Sequence, residues 1–268
     1  MNTLLAVDQA FSRMAAKASV FLNADGEWQP SVTRPTQPIS SVMLDDRVKE
    51  VLLGNVRDFL DPASREQHRD PYGRCYLFHG PTGTGKTCLA LAIAGHFDLD
   101  VYIVCMPVND SNLKTLLARV LTPSIIVLED VENADSQPRE GTASLSALLD
   151  AIDSAGDGHL IIMTTRHIEL VDGALMEPSR VAVKAEFGLA DKEMVAGLFR
   201  FAYEDHEAVG RLAEEFAAKL PEREFSPAEF MSFFASNFWS PEAAISGVEK
   251  WMAAVRDERE KMGRQSGK

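Results

Sequence analysis

The sequence predicts an α/β protein, a parallel five-stranded sheet between helices, followed by an all-helical lid. Three observations carry that reading. Five short runs, at 75–79, 101–105, 124–129, 160–164 and 181–187, are rich in apolar and β-branched residues and alternate with stretches of helical periodicity. Such runs, apolar on both faces, belong to a parallel sheet covered on both sides. After Phe187 the strand pattern stops, and helical segments follow near 191–204, 207–219, 226–236 and 240–258. Between the first strand and the helix after it stands the octapeptide Gly80-Pro81-Thr82-Gly83-Thr84-Gly85-Lys86-Thr87.

A chain of 268 residues buries enough surface to be stable without disulfides or metal. Its net charge of −13 sets up a field that repels phosphate backbones, so no nucleic acid is expected as a partner. The longest apolar runs, such as Ile125-Ile126-Val127-Leu128, fall far below the roughly 18 residues that cross a bilayer. No membrane-spanning segment is expected, and the chain reads as soluble and intracellular. Cys75, Cys88 and Cys105 lie in apolar runs and read as core thiols. The six histidines show no paired ligand spacing, so no zinc site is expected.

From the amino terminus, residues 1–22 read as an amphipathic helix. Residues 23–41, with their Asn, Asp, Gly, Pro, Ser and Thr, read as loop or extended linker. Val48, Val51, Leu52, Val56, Phe59 and Leu60 recur at helical spacing until the Asp61-Pro62 step ends the helix. In the helical region, Ser226-Pro227-Ala228-Glu229 supplies an N-cap serine, a first-turn proline and a capping-box glutamate, and Ser240-Pro241-Glu242 opens the last helix in the same way. Phe230, Phe233, Phe234, Phe238, Trp239 and Trp251 form an aromatic stripe that reads as core. The expected domains are an amino-terminal extension at 1–34, an α/β core at 35–188 and a helical lid at 189–268.

The octapeptide has the chemistry of a phosphate-binding loop. Its glycines let successive backbone N–H groups turn around phosphate oxygens at the positive end of a helix. The expected nucleotide-binding residues are Gly80, Pro81, Thr82, Gly83, Thr84, Gly85, Lys86, Thr87 and Cys88. Lys86 is expected to reach the β- and γ-phosphates, and the Thr87 hydroxyl to ligate Mg²⁺. The motif follows the apolar strand Tyr76-Leu77-Phe78 and opens a helical run at 88–94, the setting such a loop requires. Downstream, Ser124-Ile125-Ile126-Val127-Leu128 ends in Glu129-Asp130. One carboxylate at such a strand end holds Mg²⁺ through its water shell, and the next orients and deprotonates the attacking water.

The order of these motifs, continued by Met163-Thr164-Thr165, Ala174-Leu175 and Pro178-Ser179-Arg180, resembles an AAA ATPase. Within that superfamily the chain is most similar to the mitochondrial chaperones that insert the Rieske iron–sulfur protein into respiratory complex III, and to their fungal relatives. The segments that carry this are Glu129-Asp130 in that order, the run from Leu145 to Asp153, Phe187-Gly188-Leu189, Leu220-Pro221-Glu222, Phe225-Ser226-Pro227-Ala228-Glu229 and the Arg34-Pro35 to Leu44-Asp45 entry. The resemblance implies ATP and ADP as ligands, metal at Thr87 and Glu129, water activated by Asp130, and a homo-oligomeric ring acting on a protein client. The resembled family is set in the mitochondrial inner membrane, with a transmembrane helix and a family-specific domain ahead of the ATPase; this sequence shows neither in full, and residues 1–28 resemble only the last stretch of that domain.

Two positions depart from the family pattern. Arg166 stands where relatives have Asn, and a guanidinium has no acceptor with which to orient water. Glu177 stands where relatives have an arginine, leaving Arg180 as the candidate finger toward a neighbouring subunit's phosphate. The expected catalytic residues are therefore Lys86, Glu129, Asp130, Arg166 and Arg180. Two readings stay open: an ATPase that remodels a protein client with altered or reduced turnover, or a hydrolysis-deficient nucleotide-binding switch or scaffold. Residues 106–110 hold no aromatic, which argues against gripping an extended polypeptide.

Overall fold

The computed structural model describes residues 18–24, 26–31, 36–44, 46–61, 75–134, 142–154 and 158–266. The expected helix at 1–22 lies largely outside them, as does Arg34-Pro35. The described residues divide into two compact units, one ending at Phe187 and the other beginning at Gly188.

The first unit is built on a mixed sheet whose strands are β1 (Val20–Ala24), β2 (Glu27–Pro30), β3 (Cys75–His79), β4 (Asp100–Cys105), β5 (Ser124–Glu129), β6 (His159–Thr165) and β7 (Val181–Glu186). Their spatial order is β2-β1-β4-β5-β6-β3-β7. All five expected strands are present and parallel, but the sheet has seven. The two extra strands correct the reading of 23–41 as linker and, at Val20 to Leu22, the end of the expected helix. Asn23 to Gly26 is a turn signal, yet it closes a hairpin: β1 pairs antiparallel with β2 and parallel with β4, Val20 opposite Val101. That second pairing spans some eighty residues of sequence, and no local pattern announces it.

Strand residues alternate between two cores, as side chains of period two must. Tyr76, Phe78, Val101, Ile103, Ile125, Val127, Leu160 and Ile162 face one side, beneath α1 (Asp46–Leu60) and α2 (Lys86–Phe97). Cys75, Leu77, Tyr102, Val104, Ile126, Leu128, Ile161 and Met163 face the other, beneath α3 (Asp110–Leu117) and α4 (Leu145–Ser154). Helix α2 buries Leu89 through Ala94 without a break, which explains why its sequence is apolar all round. From β3 the chain crosses to β4, three places away, while β6 leads to β7 on the far side of β3. That reversal puts a crevice at the carboxyl ends of the central strands, where open α/β sheets bind ligands.

The second unit packs α5 (Lys192–Ala202), α6 (Val209–Ala218), α7 (Pro227–Ser236) and α8 (Pro241–Ser266). Its core is aromatic: Phe199, Phe216, Phe230 and Phe234 are buried, and Trp251 packs on Phe225, Phe230 and Phe233. Four members of the expected stripe serve that core, whereas Trp239 is 80% exposed and meets Phe238 edge-on. The capping box at Ser226 and Glu229 forms with both bonds in place, and Ser240 Oγ accepts from the Ala243 N–H.

Gly247 lies inside α8, and a Cβ added there meets nothing within 4 Å. Gly247→Ala is expected to stabilise the protein by about 0.5–1 kcal/mol, read as a rise of a few degrees in melting temperature.

Candidate functional site

Strand register brings the chemistry together. His79 of β3 lies opposite Thr165 of β6, Cys105 of β4 opposite Glu129 of β5, and Leu128 opposite Met163. The polar residues ending each strand therefore converge at the carboxyl edge. A cleft of about 270 Å³ opens there. From the loop it is lined by Thr82, Gly83, Gly85, Lys86, Thr87 and Cys88, and from the strand ends by Glu129, Asp130, Thr164 and Arg166.

The loop is held by its first glycine. Gly80 has φ +137°, and a Cβ built on it would stand 2.0 Å from the carbonyl oxygen of Phe187. The strand after β6 passes that close because the Phe187 N–H donates to His79 and the Gly80 N–H to Thr165. At the other end Gly85, at φ +102°, caps α2 without a side-chain bond. The N–H groups of the helix's first turn consequently have no carbonyl within the helix and no capping side chain, which favours an anion at that position.

Lys86 is 9% exposed, and its Nζ donates to the carbonyls of Gly80 and Pro81. Burial pushes its ammonium below the ordinary lysine range, opposed chiefly by Asp130 and Glu132. Thr84 is buried, its hydroxyl donating to Pro81 at 2.8 Å. Gly80, Pro81 and Thr84 thus shape the loop but do not line the cleft.

Across from the loop, the Thr87 hydroxyl donates to Glu129 Oε1 at 2.6 Å, and Cys105 Sγ lies 3.4 Å from Glu129 Oε2. A hydroxyl and a carboxylate oxygen side by side are hard donors of the kind Mg²⁺ takes. Asp130 has left-handed backbone, φ 58°, which Asp tolerates better than most residues. Its N–H points to the Thr164 hydroxyl, 3.4 Å away. Arg166 lies against it, Nε 3.3 Å from Asp130 Oδ1 and Nη2 3.4 Å from Oδ2.

Two residues of the site were missed by sequence reasoning. Thr164 is 3% exposed and lines the cleft; its signal was a hydroxyl ending an otherwise apolar strand. Glu132, two residues past Asp130, has a side chain only 4% exposed and accepts from the Arg166 N–H at 3.2 Å. Nothing in the sequence distinguished it from a solvated acid.

Arg180 stands elsewhere. It precedes β7, at the end of the sheet opposite the loop, since Val181 pairs with Cys75 at the start of β3. Its guanidinium forks onto Asp153 at 2.8 and 2.9 Å and donates to the Ala174 carbonyl. Glu177, 3.8 Å from it, is its neighbour rather than a second finger.

With this geometry in hand, residues 76–189 match the model of the ATPase family associated with various cellular activities (AAA). Residues 192–250 match the ATPase lid domain of the mitochondrial chaperone BCS1-like kind. The chain is 33% identical over 260 residues to the probable mitochondrial chaperone bcs1 of Schizosaccharomyces pombe, covering 91% of this chain and 57% of that protein. It is 31% identical to the probable mitochondrial chaperone BCS1-A of Dictyostelium discoideum, over 93% of this chain and 64% of that one. It is 27% identical to the mitochondrial chaperone BCS1 of Homo sapiens, over 90% and 62%. The chain thus spans roughly three fifths of these relatives' length. Among the described residues no helix is long and apolar enough to cross a membrane.

Two outcomes are expected from substitution. Gly80→Ala meets both backbone strain and a carbonyl, and should destabilise by more than about 2 kcal/mol. Gly85→Ala meets strain with open space around it and should lower the melting temperature less. The second outcome concerns Asp153, which the Arg180 hydrogen bond holds below the usual carboxylate range. With its folded value depressed, its contribution is full above the unfolded value of about 3.9 and is lost as pH falls through the folded value. Its side chain is 43% exposed, which limits that contribution to about 1 kcal/mol. Asp153→Asn should therefore melt a few degrees below wild type at neutral pH, and the two curves should converge below about pH 4.

Proposed function

We propose that this chain, which belongs to the AAA ATPases and carries a BCS1-like lid, binds ATP with Mg²⁺ and hydrolyses it to ADP and phosphate, driving conformational change against a protein client. The observation that carries this reading is the set of four groups around one cleft: Lys86, the Thr87–Glu129 pair and Asp130. A switch without turnover has no chemical need for a second carboxylate beside the first.

Each group has a task it is suited to perform. Lys86 exchanges its two loop carbonyls for phosphate oxygens, while the first-turn N–H groups of α2 take up further negative charge. Thr87 and Glu129 hold the cation. Mg²⁺, when bound, neutralises the charge that develops on the phosphate oxygens. Asp130 accepts the proton of the attacking water. Two carboxylates that line the cleft, Glu129 and Asp130, and the buried Glu132 behind Arg166 stand against the two cations Lys86 and Arg166, so a triphosphate enters favourably only with a divalent ion to reverse that balance.

The altered residues shape the proposal. Arg166 cannot accept from water, so its part is to neutralise phosphate charge. Because Arg180 lies at the sheet end away from its own loop, it serves the site of an adjacent copy if it serves any. This supports the ring that the family implies, and such an action requires Arg180 to release Asp153. We further take the domains to be an extension at 1–34, the core at 35–188 and the lid at 189–268. An intracellular, reducing setting fits Cys75, Cys88 and Cys105, which form no disulfide among the described residues.

The competing reading, a nucleotide-binding switch, is favoured by the engagement of Asp130 with Arg166. Phosphate release measured over a protein concentration series decides between them. Asp130→Asn should lower the rate by about 10² or more, Lys86→Ala should abolish it, and the specific rate should rise with concentration. Equal release by wild type and both variants would exclude the enzyme.

A further inference from the structure

We infer that Glu132 is a positioning residue that sets Arg166 to read the γ-phosphate and, in doing so, to release Asp130. The inference rests on the reading of Asp130 as the base.

Glu132 follows Asp130 in a tight 3-10 turn, Val131–Asn133, and this turns its side chain inward while Asp130 stays 38% exposed. One of its oxygens accepts the Arg166 N–H and lies 3.6 Å from Arg166 Nε. The other is buried without a partner among the described residues. A carboxylate in that position depends on a nearby cation, because desolvation penalises its charge, and its ion-pair partner is Arg166. Glu132 thereby holds Arg166 twice: its carboxylate faces the guanidinium by charge and accepts the backbone N–H of the same arginine.

The contact with Asp130 is longer than that of a tight fork. Arg166 approaches Asp130 at 3.3 and 3.4 Å, whereas Arg180 forks onto Asp153 at 2.8 and 2.9 Å. A guanidinium has five N–H donors, more than these contacts occupy. A γ-phosphate offers three oxygens and more charge than one carboxylate, and bidentate pairing with Arg suits it. It therefore draws the fork from Asp130 while Glu132 retains the arginine's base. With ATP the carboxylate of Asp130 is left to accept the water's proton, and with ADP it is latched again. The pair couples the presence of the third phosphate to the availability of the base.

The test uses calorimetric titration with ATPγS and with ADP, in Mg²⁺, beside steady-state phosphate release. Glu132→Gln keeps an acceptor for the Arg166 N–H but removes the charge. It should lower the preference for ATPγS over ADP about tenfold, leave ADP affinity within about twofold, and reduce kcat with KM nearly constant. Arg166→Gln, at a half-exposed position, should lose the same preference. The double variant should lose no more than either single one, as expected of groups that act through one contact. Wild-type preference in Glu132→Gln or in Arg166→Gln, or additive losses, would overturn the inference. Asp130→Asn separates the two levels. If it abolishes turnover while Glu132→Gln behaves as wild type, only the positioning role falls. If it turns over normally, the assignment of the base falls, and the nucleotide preference still decides the role of Glu132 in reading the γ-phosphate.

Discussion

Each central strand of the sheet is buried on both faces, and this leaves the chain nowhere to put polar chemistry except at strand ends. Tyr76 and Phe78 face one core, Cys75 and Leu77 the other, and the same division runs through β4, β5 and β6. An unpaired charge along those strands would cost several kcal/mol. The first positions released from that constraint are Cys105, Glu129, Thr164 and the loop after His79, and strand register places them side by side. The site is therefore a consequence of how the sheet is covered.

The loop inherits its shape from the same sheet. Phe187 packs in the core against Phe78, with ring centroids 5.3 Å apart, and its backbone crosses Gly80 so closely that no side chain fits there. The glycine that opens the phosphate-binding pattern is thus fixed by packing against the end of β7, over a hundred residues later. Gly85 is fixed differently, by a positive φ at the start of α2. One motif contains two kinds of requirement, one tertiary and one local.

This difference explains what was legible in the sequence. The five central strands could be read because two-sided burial writes a continuous apolar run, and the capping box at Ser226 because its bonds lie within four residues. The Thr87–Glu129 contact could be anticipated because the hydroxyl closes the phosphate-loop pattern at the start of α2 and the carboxylate ends the apolar run of β5. The hairpin of β1 and β2 could not, since its partner β4 is eighty residues away and its own strands are half-exposed. Glu132 was illegible for a related reason: an acid in a turn acquires meaning only from what faces it, whereas the Thr164 hydroxyl carried only the faint signal of a polar group closing an apolar run. Arg180 was legible as a cation, while its pairing with Asp153 depends on where α4 ends.

Arginine in place of a neutral amide at the end of β6 changes the electrostatics of the whole cleft. A neutral side chain beside Asp130 and Glu132 would leave two adjacent acids with Lys86 as their counter-charge, in a site proposed to admit a polyanion. Arg166 adds a second cation, and the buried carboxylate of Glu132 faces its guanidinium and accepts its backbone N–H. The three groups are best understood together, because each alone is unfavourable: Glu132 is desolvated, Asp130 repels phosphate, and Arg166 cannot orient water. On the proposed reading, the arginine that cannot orient the water is the same residue that gives the site a cation for a third phosphate. Whatever rate the chemistry reaches, that reading makes the discrimination between nucleotide forms depend on this arginine and the acid beside it.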